Sequence, residues 1–74
     1  MEYHIRGRIE PTTRATYIAI AIAVPFMEKE PIRKLESVCP TRSQAIQKLR
    51  QLTVELGKAI REEGGEIVSV TTEE

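Results

Sequence analysis

Apolar and polar residues alternate along the first part of the chain, as is typical of β-strands. Within residues 2–9, Tyr3, Ile9 and the alternate positions between them are uncharged, and all of the other positions carry charged or imidazole side chains. This period of two predicts a half-buried strand. Residues 15–24 predict a second strand, because β-branched residues recur at every second position. A third strand is predicted over residues 32–38, where charged side chains suit the edge of a sheet.

A period of three and four residues then replaces the alternation and predicts one long helix. Thr41 and Gln44 have the spacing of a capping box at its start. Gly64 and Gly65 favour a left-handed end, so we expect the helix over residues 42–63. The apolar stripe that defines the period is formed by Ala45, Ile46, Leu49, Leu52, Leu56, Ala59 and Ile60.

The predicted order of elements is β-β-β-α-β, which indicates a single α+β domain over residues 1–74. Residues 66–72 form the last predicted strand, and we expect Glu73 and Glu74 to fray. We expect a four-stranded, mainly antiparallel sheet in which the last strand lies at an edge, parallel to the first. One long helix then packs on one face of this sheet and leaves the other face uncovered.

The second predicted strand has two apolar faces. One face carries β-branched residues and the other carries Tyr17, Ala19, Ala21 and Ala23. We expect the β-branched face to meet the helix and the alanine face to look away from it. Because a water-facing side of an antiparallel sheet is usually polar, the alanine face is predicted to contact a partner, most simply a second copy of the chain. The alternative is that arginine side chains of the first strand cover these alanines.

The basic residues of the first strand offer a second candidate surface. His4, Arg6 and Arg8 share one side of that strand, and Arg33 or Lys34 of the third strand would extend the patch. Cations that point together favour an anionic ligand or a nucleic acid, and the alternative is an ordinary solvated face. The formal net charge of zero argues against a strong non-specific nucleic-acid binder. Aromatic residues, on which single-strand binders stack bases, make up only 4% of the chain.

Residue types that carry catalysis and bind metals are scarce. The sequence has no Asp, one His and one Cys, so it lacks the ligands for a zinc site and the acid of a Ser-His-Asp triad. Cys39 precedes the predicted helix, where the helix dipole favours a thiolate, and simple packing near the start of the helix is the alternative. We therefore predict no catalytic residue, no metal and no cofactor.

The expected compartment follows from the same residues. A lone cysteine cannot form an internal disulfide, which small secreted domains usually need, so we expect a cytoplasmic protein. The first 14 residues do not resemble a signal peptide. The longest apolar stretch, residues 15–24, is about half of the ~20 residues that a membrane helix needs.

The loop between the second and third predicted strands is a further candidate for contact with a partner. It lies between Pro25 and Pro31 and carries Phe26 and Met27. These two side chains either anchor a partner or cap the end of the core.

Short stretches within residues 15–67 resemble the HicB-like antitoxin domain. Tyr17-Ile18-Ala19 is similar to the aromatic-Val-Ala strand of that family. Cys39-Pro40-Thr41, followed by Ala45, resembles its Gly-Cys…Thr-x-x-x-Ala pattern leading into the helix. Residues 61–64 resemble the charged segment before its last strand.

The resemblance also has clear departures. Val38 replaces the glycine before the cysteine, Pro40 replaces the usual Asp, and residues 66–68 replace a proline-rich ending. What the resemblance implies is a non-catalytic, dimerising module that binds a protein partner such as an RNA-cleaving toxin. Together with the alanine face, it leads us to expect a homodimeric protein–protein interaction module.

Overall fold

The computed structural model describes residues 1–73, which form one small α+β domain with four strands and one helix. The sheet order is β3-β2-β1-β4. β2 pairs antiparallel with β1 and β3, and β4 pairs parallel with β1 at the sheet edge, as predicted. The elements are β1 (Glu2–Pro11), β2 (Tyr17–Pro25), β3 (Arg33–Cys39), α1 (Arg42–Glu62) and β4 (Glu66–Glu73).

The strands keep their predicted places, and their boundaries differ from the predicted ones by one or two residues. β2 begins at Tyr17, because Thr12 and Thr16 close a turn through a 2.6 Å hydroxyl contact and Ala15 adopts a left-handed φ of 58° within it. Glu73 pairs opposite Arg8 as part of β4, so its predicted fraying is wrong. Glu74 lies outside the described residues.

Both ends of α1 are fixed by the predicted capping residues. The Thr41 hydroxyl accepts a hydrogen bond from the Gln44 amide at 3.2 Å, which satisfies one free amide of the first turn. At the other end Gly64 has a φ of 86°, and the Gly65 amide donates to the Ile60 carbonyl at 2.9 Å. This pattern is a Schellman motif, so the helix ends where the glycine pair predicts.

Helix α1 packs on the alanine face of β2, which makes the predicted orientation of this strand wrong. Ala19, Ala21 and Ala23 are completely buried, and they form the core with the leucines of α1. The reason is the close approach of helix and sheet. A Cβ atom on Gly7, which lies opposite Ala21, would be 2.8 Å from Leu49 Cδ1. The helix supplies the bulk of the core, so the strands beneath it need small residues.

The position of α1 also determines which parts of the sheet remain open. The helix lies mainly over β2 and reaches β4 least, so β4 is an edge strand with little cover. The face of the sheet that bears the isoleucines of β2 has no helix on it within residues 1–73. Within residues 1–73, no helix has both the length and the hydropathy of a membrane-spanning segment.

Candidate functional site

The helix-free face of the sheet is the surface that is most unusual for a small domain. Its centre is an apolar stripe on β2, which we call the isoleucine stripe: Ile18, Ile20, Ile22 and Val24. Ile20 and Val24 are 5% and 4% exposed, although no helix lies above them. Ile18 and Ile22 are half-buried. Side chains of the neighbouring strands therefore shield Ile20 and Val24 and leave parts of Ile18 and Ile22 accessible.

β1 borders the stripe with four polar side chains. The pairing places His4 opposite Val24, and the next three alternate residues of β1 follow along the stripe. Those residues are Arg6, Arg8 and Glu10, opposite Ile22, Ile20 and Ile18. The predicted grouping of His4, Arg6 and Arg8 on one face is confirmed, and the alternation of β1 alone was enough to predict it.

β3 borders the stripe on the other side with a different pattern. Lys34 lies opposite Ile22, Glu36 opposite Ile20, and Val38 opposite Ile18. Val38 is 64% exposed and extends the apolar surface at this corner of the sheet.

The charges on this face are partly paired within the chain. Arg8 Nε lies 2.9 Å from Glu10 Oε1, and Lys34 Nζ lies 3.5 Å from Glu36 Oε2. Both pairs are solvent-exposed, so each contributes at most about 1 kcal/mol to stability. Arg6 has no acidic partner within residues 1–73.

A cavity of about 400 Å³ opens on this face, between the isoleucine stripe and β4. Its apolar floor is Ile20 and Ile22, and its polar rim comes from β1 and β4. The rim side chains are Arg6, Arg8, Thr71 and Glu73. Thr71 and Glu73 were not predicted, because their place beside Arg6 and Arg8 depends on the parallel register of β4.

Arg33 does not belong to the basic patch, so its predicted place there is wrong. It lies opposite Ala23 on the helix side of the sheet and forms an ion pair with Glu63 at the end of α1. Adjacent residues of a strand point to opposite faces, so the alternative Lys34 occupies the helix-free face instead.

His4 connects the basic patch to the turn after β2. Its Nδ1 lies 2.6 Å from Ser69 Oγ, and its ring centre lies 5.4 Å from the ring of Phe26. Phe26 is 45% exposed, whereas Met27 is 87% exposed and has a left-handed φ of 71°. Phe26 thus covers His4 at the end of the sheet, and Met27 projects into solvent.

The predicted contact surface formed by Tyr17, Ala19, Ala21 and Ala23 is not available to a partner. The three alanines lie beneath α1, and only the neighbouring isoleucine stripe faces away from it. The turn between β1 and β2 carries the information that the prediction missed. It sets a register in which odd-numbered residues of β1 lie opposite odd-numbered residues of β2. Ile5, which belongs to the core, therefore lies opposite Ala23.

Cys39 ends β3 and is 7% exposed. Its burial supports the packing interpretation, because a reactive thiol needs access to solvent. Among residues 1–73, no three His, Cys or Glu side chains come close enough together to hold a metal ion.

A second, smaller cleft of about 150 Å³ lies between α1 and β4 on the helix side. Val54 and Val70 line it and are 70% and 54% exposed. This cleft and the open edge of β4 together form a second apolar surface, which is the alternative place for a partner to bind.

Comparison of the chain with known protein families, curated proteins and solved structures found no match.

Proposed function

We propose that this chain is a small, non-catalytic protein–protein interaction module that forms a homodimer through the helix-free face of its sheet. The observation that supports this proposal is the isoleucine stripe. An antiparallel sheet usually presents polar residues on a solvated face, whereas here the strand beneath solvent is apolar at every outward position. Ile18, Ile22 and Val38 keep accessible apolar surface, and its burial contributes about 25 cal/mol per Å².

The charge pattern favours a second copy of the chain as the occupant of this face. Three cations and three carboxylates lie around the stripe and beside it on β4: Arg6, Arg8 and Lys34 against Glu10, Glu36 and Glu73. Two such faces meet without net repulsion, whereas a polyanion would meet three carboxylates. Homodimers with two-fold symmetry are also the commonest soluble assemblies.

Sedimentation equilibrium tests the proposal with a matched pair of variants. We expect the wild-type chain to dimerise and Ile18→Glu to weaken the dimer at least about a hundredfold, because the new carboxylate would be buried between Glu10 and Val38 without a cation opposite it. Val54→Glu is the control, since it adds the same charge at a 70% exposed position on α1. A monomeric wild type at millimolar concentration would overturn the proposal. Dissociation by Val54→Glu instead would place the interface at the cleft between α1 and β4.

The compartment and the partner rest on separate observations. The lone, buried Cys39 supports a reducing cytoplasm. The resemblance to HicB-like antitoxins supports a protein partner such as a toxin, for which the exposed Phe26 and Met27 are the proposed contacts. Co-expression with the product of a neighbouring small reading frame tests this. We expect a complex that Phe26→Ser/Met27→Ser abolishes while the homodimer persists, and persistence of the complex would exclude the loop.

A second candidate function is the binding of an anion or a nucleic acid on the same face. Arg6, which lacks an acidic partner within residues 1–73, and Arg8 line the 400 Å³ cavity. A salt titration of RNA and DNA binding tests it, because phosphate contacts weaken steeply with salt. Arg6→Ala/Arg8→Ala should then reduce both affinity and salt slope, and Arg33→Ala, on the helix side, should change neither.

A further inference from the structure

We infer that the two copies meet around a two-fold axis that crosses β2 between Ile20 and Ile22, so that Lys34 of each copy faces Glu36 of the other. This inference rests on the proposed homodimer and specifies its register. It follows from how the side chains of the helix-free face are arranged in rows across the sheet.

The strand pairing defines two central rows on this face. One row contains Lys34, Ile22, Arg6 and Thr71, and the next contains Glu36, Ile20, Arg8 and Glu73. Val24 and His4 lie beyond the first row, and Ile18, Glu10 and Val38 lie beyond the second.

An axis that runs across the strands, between the two central rows, exchanges one row for the other. Ile20 of one copy then packs on Ile22 of the second, and Ile18 packs on Val24. The whole isoleucine stripe is covered by the stripe of the second copy. Both copies use the same residues, as a two-fold interface requires.

The same axis brings opposite charges together on the β3 flank of the stripe. There Lys34 faces Glu36 of the second copy, and this contact occurs twice. Such charge pairs contribute to orientation and partner choice more than to affinity. On the β1 flank, the imidazole of His4 faces Glu10 of the second copy.

Arg6 comes opposite Arg8 of the second copy in this arrangement. Arg8 is already paired with Glu10 at 2.9 Å, and Glu73 lies beside it across the strand pairing. Arg6 therefore meets two carboxylates of the second copy near that guanidinium. The cavity of about 400 Å³ on each copy gives these side chains space.

An axis that runs along β2 is the other two-fold arrangement that stacks the stripes. It places β1 of one copy over β3 of the second, so that Arg6 faces Lys34 in two symmetric repulsive contacts. By the same symmetry Arg8 faces Glu36 twice, so attraction and repulsion balance, and the Lys34–Glu36 contact between copies is lost. Because β2 is the second of the four strands, this axis also leaves β4 of each copy with no strand facing it. The axis across the strands places every strand of one copy over the same strand of the second, and this fuller cover favours it.

The twist of the sheets does not remove the Lys34–Glu36 contact. Packed sheets cross at about 30°, which displaces a strand one spacing from the centre, ~4.8 Å, by roughly 2.5 Å. A lysine side chain spans this displacement with its flexible stem.

Charge reversal on β3 tests the register. We expect Lys34→Glu and Glu36→Lys each to raise the dimer dissociation constant about tenfold, because each creates like-charge contacts between copies. The double variant should return to within about threefold of wild type. An equimolar mixture of the two single variants should form a heterodimer tighter than either homodimer, because both Lys–Glu contacts between copies are then restored.

The mixture separates contacts between copies from the ion pair within the chain, because each subunit still lacks its own Lys34–Glu36 pair. Glu63→Lys is the control, since it changes charge on the helix side, and it should leave the dissociation constant unchanged. Tighter dimers of Lys34→Glu, or a mixture that gains nothing, would overturn this register and leave the homodimer standing. A wild-type chain that stays monomeric would remove the homodimer itself.

Discussion

Substitution of Gly7 by Ala tests the close approach of α1 to the sheet, on which the orientation of β2 depends. The new Cβ would lie 2.8 Å from Leu49 Cδ1 and 3.3 Å from Thr53 Cγ2. Leu49 is completely buried, so its side chain can move away from the new methyl group only against other core residues. Such overpacking costs about 1–3 kcal/mol, whereas the loss of glycine freedom in the unfolded chain returns about 0.4–1 kcal/mol.

We therefore expect Gly7→Ala to lower the free energy of unfolding by about 1–2 kcal/mol. Urea denaturation followed by circular dichroism measures this directly, and a thermal scan should show a melting temperature about 4–16 °C lower. Leu49→Ala alone should cost about 2–5 kcal/mol through its cavity.

The double variant Gly7→Ala/Leu49→Ala identifies the cause of the loss. If the clash with Leu49 is responsible, the double variant should lose less stability than the sum of the single losses, because the shortened side chain leaves room for the new methyl group. A neutral or stabilising Gly7→Ala, or strict additivity, would refute the close approach of helix and sheet.

Two further predictions concern the helix itself. Gly57→Ala should raise the free energy of unfolding, measured by urea denaturation, by about 0.5–1 kcal/mol, because alanine has the higher helix propensity. A Cβ at this position would meet Ile5 Cδ1 at 3.4 Å, which is ordinary van der Waals contact. A loss of stability would show that the helix is too close to Ile5 for a methyl group. Thr41→Ala should lower the free energy of unfolding by about 1 kcal/mol, because the 3.2 Å hydrogen bond from the Gln44 amide is lost. Thr41→Ser should retain stability, and equal losses in both variants would exclude the cap as the cause.

Local signals in the sequence were sufficient to predict the elements of this fold. The capping residue Thr41 and Gly64 fixed the ends of α1, and the alternation around Ile5 fixed the inward side of β1. The parallel pairing of β4 at the edge also followed from the order of elements, because the strand after the helix returns beside β1.

The orientation of β2 was not predicted, because both of its faces are apolar. The prediction assigned the larger side chains of β2 to the core. The space between the sheet and α1, however, is filled by side chains from both. Leu49 and its neighbours on α1 fill that volume, so Ala21 and Gly7 must be small. The register of the turn before Tyr17 would have resolved the ambiguity, since it places Ala23 opposite Ile5.

The candidate site depended on this orientation and was therefore only partly predicted. The shared side of Arg6 and Arg8 follows from neighbours in sequence. Arg33 and Lys34 are adjacent and point to opposite faces, and only the register of β3 with β2 decides which of them joins Arg6 and Arg8. Thr71 reaches the cavity through pairing across 65 residues of chain, which no local pattern indicates.

The contrast between the two sides of β2 has a consequence for how this domain can evolve. The alanines beneath α1 leave no volume for a larger residue, so selection for folding alone fixes them. On the other side of the strand Ile20 and Val24 are also nearly buried, whereas Ile18 and Ile22 are only half-buried. Ile18 and Ile22 can therefore change with whatever binds there at a smaller cost in stability than the alanines. Affinity for a partner can be gained or lost by mutation at these two positions with less effect on the stability of the fold.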